Sequence, residues 1–116
     1  MANPNIVNVT SIYGTTAVQA VGNTLTALVT NSAGSGSVYK VDTLILSNND
    51  TSGHTVTVDV FRSSTSYPIS KTVSVPVAAM YDVLTKFIYL NEGDVLRVSA
   101  DTANVVTAVC SYEVIS

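Results

Sequence analysis

The chain has 116 residues, 47% of them hydrophobic and only 11% charged, with a net charge of −3. That length fits one domain with one core, and the charge content lies well below the ~25% of ordinary soluble domains. Lys40, Arg62, Lys71, Lys86 and Arg97 are scattered along the chain, so the clustered cations that neutralise nucleic-acid phosphates are missing. The lone cysteine, Cys110, excludes an intrachain disulfide. No apolar run approaches the ~18 residues of a membrane span. The first residues carry neither a basic nor an apolar region, so no signal peptide is expected.

Residues 1–36 are rich in Thr, Asn and Gly and read as edge strands or an arm in front of a tighter core. Ile6, Val7 and Val9 are expected to form an edge or arm strand that reaches a neighbour. From residue 24 the apolar residues alternate: Leu25, Ala27 and Val29 oppose Thr24, Thr26 and Thr30. This two-residue period is that of a half-buried strand. Residues 31–37, rich in Ser and Gly, read as a flexible loop. Residues 41–46 are apolar on both faces, which predicts a central strand or one covered by another chain. A turn cluster at 48–53 follows. Val56, Val58 and Val60 then share one face against Thr55, Thr57 and Asp59.

Residues 63–66 predict another turn, and Ile69, Val73, Val75 and Val77 another face. Val77, Met80, Tyr81 and Leu84 also fit helical spacing, so one short helical turn near 77–84 competes with strand there. Residues 83–90 are again apolar on both faces. Residues 91–94 predict a tight turn capped by its own carboxylates, and 101–104 close the last hairpin. Val106, Ala108, Cys110, Tyr112 and Val114 end the chain as one face. Strands at this spacing predict an all-β chain: a single antiparallel β-sandwich domain over residues 1–116, jelly-roll or immunoglobulin-like.

The residues offer little to catalysis. The single His54 stands beside a turn and is expected to be exposed, and no Ser sits in a Gly-x-Ser-x-Gly elbow. One Cys and one His cannot make a structural zinc site. Glu92, Asp94 and Asp101 lack the spacing of a calcium loop. No catalytic residue, cofactor or metal is expected, and the chain is read as a non-enzyme. Trp is absent and six of the eight aromatics are Tyr, a residue whose apolar ring and polar tip suit interfaces. Tyr13, Tyr67 and Tyr81 are the candidates for an aromatic platform in a carbohydrate-binding, adhesin-like module. Together with Ile6, Val7, Val9 and Met80 they make up the candidate interface.

From Val38 the order of segments is Val38-Tyr-Lys-Val-Asp-Thr-Leu-Ile-Leu-Ser-Asn48, Thr55-Val-Thr-Val-Asp-Val60 and Tyr67-Pro-Ile-Ser-Lys-Thr-Val-Ser-Val-Pro76. Ile88-Tyr-Leu-Asn-Glu-Gly-Asp-Val-Leu-Arg-Val-Ser-Ala100 and Val109-Cys-Ser-Tyr-Glu-Val-Ile115 follow. Over about Val38 to Ile115 this resembles the β-sandwich virion structural proteins of tailed bacteriophages, particularly phages of marine and freshwater hosts. The resemblance is one of strands and turns and brings no site residues with it. It implies a virion protein assembled in the host cytoplasm, in first place a capsid decoration (cement) protein that stabilises the head through subunit contacts. A tail, neck or baseplate component is the alternative. The implied partners are sister copies in a homo-oligomer, a trimer first, and the major capsid protein or tail proteins, with no nucleic acid and no membrane.

Overall fold

The computed structural model describes residues 8–116. These form two antiparallel sheets packed face to face. In chain order the strands are β1 (Ile12–Ala20), β2 (Thr26–Thr30), β3 (Val38–Asn48), β4 (His54–Arg62), β5 (Thr65–Val75), β6 (Met80–Asp82), β7 (Ile88–Leu90), β8 (Val95–Ala100) and β9 (Val106–Ile115). One sheet runs β1-β9-β3-β6, with β7 also on β3, and the other runs β2-β8-β4-β5. Apart from the β4–β5 hairpin and the pair β6 and β7, successive strands alternate between the sheets. Counting β6 and β7 as one interrupted strand, this is the eight-strand jelly-roll order, and it selects between the two sandwich types that the sequence allows.

The inner layer is where the two-residue period predicts it. Val56 and Val58 of β4 meet Leu96 and Val98 of β8 across the sandwich from Val41, Leu44 and Leu46 of β3 and Val106, Ala108 and Cys110 of β9, all without solvent exposure. Each Val or Leu buried in this way contributes ~1.5–3 kcal/mol relative to its exposed state. β3, apolar on both faces, is central, between β9 and the β6–β7 edge.

Bulges break the alternation elsewhere. In β2 the pairing with β8 shifts between Ala27 and Val29. Leu28 therefore packs against the core beside Val29, and Leu25 is left outside. Two shifts in β4–β5 displace the face expected of residues 69–77: Val75 is buried, while Ile69 and Val77 are exposed. Residues 83–90 do not make a central strand. They belong to the interrupted edge of β6 and β7, which inserts Leu84 and Leu90 and leaves Phe87 and Tyr89 outside.

The helical alternative near 77–84 gives way to extended chain. The Ala79 amide bonds the Pro76 carbonyl at 3.2 Å, Ala78 takes φ 54°, and β6 begins directly afterwards. The turn at 63–66 is also tighter than the sequence suggests. Arg62 pairs Thr65, so Ser63 and Ser64 form a two-residue loop, with φ of 51° and 62°.

Left-handed φ costs an L-residue ~1–2 kcal/mol, and two-residue hairpin loops favour Asn-Gly for that reason. The double substitution S63N/S64G is expected to stabilise the protein by about 1 kcal/mol and to raise Tm by about 4 °C. An unchanged or lower midpoint in thermal unfolding would contradict this loop geometry.

Candidate functional site

The outward side chains of the β1–β9–β3–β6 sheet form three rows. Pairing places Thr16, Ser111 and Thr43 in one, Val18, Val109, Ile45 and Asp82 in the next, and Ala20, Thr107, Ser47 and Met80 in the third. Of these side chains one is ionisable, the exposed Asp82 at the β6 edge. Val18 and Met80 are 66% and 64% exposed. Charges on this face gather toward the start of β3, where Lys40 lies 3.7 Å from Glu113 and 3.9 Å from Asp42. The Lys40 ammonium also sits 4.5 Å over the Phe87 ring, and Phe87 meets Tyr89 edge-on. A broad, charge-poor field with protruding apolar side chains is the composition of a surface that gains by being covered.

In the other sheet the charges of β4 and β8 are paired within the subunit. On its outer face Asp59 of β4 is opposite Arg97 of β8. Arg97 grips it with two hydrogen bonds, 2.9 Å from Nε and 2.5 Å from the terminal nitrogen, and Ser66 donates a third. Arg97 stacks on Phe61 at 4.1 Å. Asp59 is fully buried although it points away from the core. Burial pushes its carboxyl up, but the hydrogen bonds from Arg97 and Ser66 outweigh this and hold it below the usual value. A second fork, from Arg62 to Asp94 at 2.7 and 2.6 Å, ties the β4–β5 hairpin to the turn before β8. Asp94 also accepts from the Asn91 amide at 2.8 Å, so this turn is capped by its own carboxylate as expected. Glu92 and Asp94 lie at one end of β8 and Asp101 at the other, which separates the three acids weighed for calcium.

His54 departs from expectation. It is 9% exposed, not a surface turn residue. Its Nδ1 lies 2.7 Å from Asp101 and its Nε2 2.7 Å from Asp50. Ionised carboxylates only accept, so both ring nitrogens donate and the ring is an imidazolium. The hydrogen bonds that His54 donates to Asp50 and then to Asp101 raise its pKa above 6.5, against the opposing effect of burial. The bond from His54, followed by one from the Thr51 amide, lowers Asp50. Burial pushes Asp101 up, but the Thr55 amide and His54 overcome it. With both nitrogens engaged, this histidine has none left to activate a nucleophile. Cys110 is equally removed from chemistry, since burial pushes its thiol up to about 12.

Of the candidate interface residues, Ile6 and Val7 lie outside the described residues, and Val9 is half-buried just before β1. Tyr13 on β1, Tyr67 on β5, and Met80 and Tyr81 on β6 are all exposed. Met80 joins the charge-poor field. Tyr67 lines a cleft of about 440 Å³ with Val60, Arg62 and Tyr89. Tyr13, Tyr67 and Tyr81 sit on three different strands, and the ring pairs seen are Tyr39–Tyr112 and Phe87–Tyr89. The sequence reading missed Val18, Tyr89, the Asp59–Arg97 pair and the His54 clamp. An Asp at an outward position otherwise held by Thr was the one local signal of the ion pair.

No family model matches the chain, and no curated protein matches it in sequence. Solved structures do resemble it in fold. A chain of the Bacillus endospore appendages, a family of disulfide-linked pili, has 14% identity and a TM-score of 0.55 over 99% of this chain and 92% of that one. A chain from the acid-stable capsid of Helicobacter pylori bacteriophage KHP30 has 15% identity and a TM-score of 0.52, over 93% and 90%. A pentameric capsid protein from metagenomic phage sequences has 24% identity and a TM-score of 0.45, over 84% of this chain and 60% of that one.

Two outcomes follow from the ion pairs. Arg97→Ala leaves Asp59 buried without its countercharge and is expected to cost about 3–5 kcal/mol, whereas replacing both residues by apolar ones recovers most of the loss. A cost below about 1 kcal/mol in urea unfolding would show that water reaches the carboxylate. The His54 clamp gives a pH signature. Its contribution is complete below about pH 6.5 and is lost as pH rises through the raised His54 value; the two aspartates lose theirs as pH falls through their lowered values. His54→Gln is therefore expected to be most destabilising between roughly pH 4 and 6.5, with the gap to the native chain closing at alkaline pH. A gap independent of pH would mean that the ring is neutral.

Proposed function

We propose that this chain is a structural subunit of a phage particle that acts by binding alone, in first place as a capsid decoration protein. The observation that carries the reading is the charge-poor field on the outer face of the β1–β9–β3–β6 sheet, whose charges gather near the start of β3 and at the β6 edge. Its rows of Thr, Ser, Ala, Val and Ile, with Val18 and Met80 protruding, cost free energy in water and repay it when covered. The resemblance of residues 38–115 to phage virion proteins and the shared fold of the KHP30 capsid chain support it. Four of the chain's charges are paired inside the subunit, in the Asp59–Arg97 and Asp94–Arg62 pairs. Sister copies in a closed homo-oligomer, a trimer first, and the major capsid protein are the proposed partners.

The likeness to a pilus chain favours a second reading, a subunit of a tail, neck or baseplate. The disulfide linkage of those pili does not carry over, because Cys110 is buried in the core. The carbohydrate-binding reading is left with the Tyr67–Tyr89 cleft as its place.

Gold-labelled antibody on intact particles tests the order of these readings. Label spread over the head is expected. Label confined to the tail would overturn the decoration role and keep the virion role, and unlabelled particles would overturn both.

A further inference from the structure

The four edges of the sandwich are not equally protected. β5 carries Pro68, Lys71, two register shifts and Thr72 at φ 51°. β2 has five residues and a bulge, and the β6–β7 edge is interrupted. Proline, charge, bulges and shortness are the devices that keep an edge from pairing. β1 has none of them. Its sequence, IYGTTAVQA, has neither charge nor proline, and it runs nine residues in unbroken register with β9.

Its hydrogen-bonding parity is fixed. Ser11 and Ser116 exchange amide bonds at 2.9 Å in both directions, and the Val21 amide bonds the Val106 carbonyl at 2.8 Å. Odd-numbered residues of β1 therefore turn their backbone groups toward β9. Ile12, Gly14, Thr16, Val18 and Ala20 turn theirs outward, where among the described residues no strand pairs with them.

We propose that β1 is the contact edge for a second copy of this chain, the two β1 strands pairing antiparallel about a twofold axis through Thr16. This rests on the reading of the chain as an assembly subunit and names its contact. The register that uses the whole strand places Thr16 opposite Thr16, Gly14 opposite Val18 and Ile12 opposite Ala20. All of these have outward backbone groups, so every pair exchanges hydrogen bonds. Each bulky outward side chain then faces a small one. Val18 is seated over Gly14, where a Cβ would meet nothing within 4 Å, and Ile12 over Ala20. An uncharged strand pairs with itself without like-charge repulsion, which an isologous contact requires. The charge-poor fields of the two copies become one surface across the joint. Where copies form a closed oligomer by other contacts, this edge links one oligomer to the next.

Cysteine trapping on the purified chain tests the contact. Across a hydrogen-bonded antiparallel pair the Cα atoms are about 5.5 Å apart, within the ~4.4–6.8 Å that a disulfide spans. Thr16→Cys is expected to give a covalent dimer on mild oxidation. Val18→Cys places the two thiols four residues out of step, about 14 Å apart, and is expected to stay uncrosslinked. The buried Cys110 does not compete. Val18→Lys, at an exposed position, is expected to weaken self-association at least tenfold in light-scattering mass measurements. A native chain that self-associates while T16C fails to cross-link, or cross-links no better than V18C, overturns the edge contact and leaves the assembly reading standing. A native chain that stays monomeric at high concentration, with no T16C dimer, overturns the contact and removes self-association from the assembly reading.

Discussion

The pleat of a β-strand sends successive side chains to opposite faces, and a one-residue slip exchanges the two. Everything else in this sandwich depends on that register. In β4, Val56 and Val58 go to the core because Thr55, Thr57 and Asp59 go outward. In β9, Val106, Ala108 and Cys110 do the same. The sheets meet through residues that have no solvent exposure at all, so a slipped strand would put hydroxyls and a carboxylate into the core. Where the chain needs a different aim it inserts a residue: at Leu28 in β2, at Asp42 in β3 and twice in the β4–β5 pair. These bulges turn the sheets without giving up the inner layer.

The loops are held by polar side chains that replace backbone partners. Asn31 donates to the carbonyls of Ser37 and Leu90 and accepts from Ser35. Asn48 donates to Ser52, Val75 and Pro76 and accepts from the Asp50 amide. His54 joins the β3–β4 loop to the β8–β9 loop through Asp50 and Asp101. A buried amide that fills its hydrogen bonds fixes a loop as firmly as a short strand would. The Ser- and Gly-rich segment at 31–37, expected as a flexible connection, is tied at its first residue in this way. The low charge count of the chain is used economically, since four of the eight acids and two of the five bases are committed to buried or bridging pairs.

Much of the fold was legible because alternation is a local property. The strands at 56–60 and 106–114 and the central position of β3 can be read from neighbours in sequence. Bulges are not local in that sense. Nothing near Leu28 or Ser70 announces that a residue will be left unpaired, because the shift is decided by the partner strand. The His54 clamp needs Asp101, 47 residues away, and the Asp59 pair needs Arg97, 38 residues away, so both wait on the topology. The candidate surface was legible in kind, as a charge-poor exterior with exposed Tyr and Met. Its layout was not, since Val18, Val109 and Ile45 form a row only when β9 lies between β1 and β3.

That placement of β9 also has a consequence in time. β1 is made first and β9 last of the nine strands described, yet β9 is the only strand that pairs with β1 among the described residues. During synthesis the first strand has no sheet to join until the final one has left the ribosome. Pairing across so long a stretch of chain is slow, and incomplete chains cannot reach it. A product truncated before β9 therefore never holds β1 as a paired strand, and the outer edge of β1 is presented only once β9 has joined the sheet.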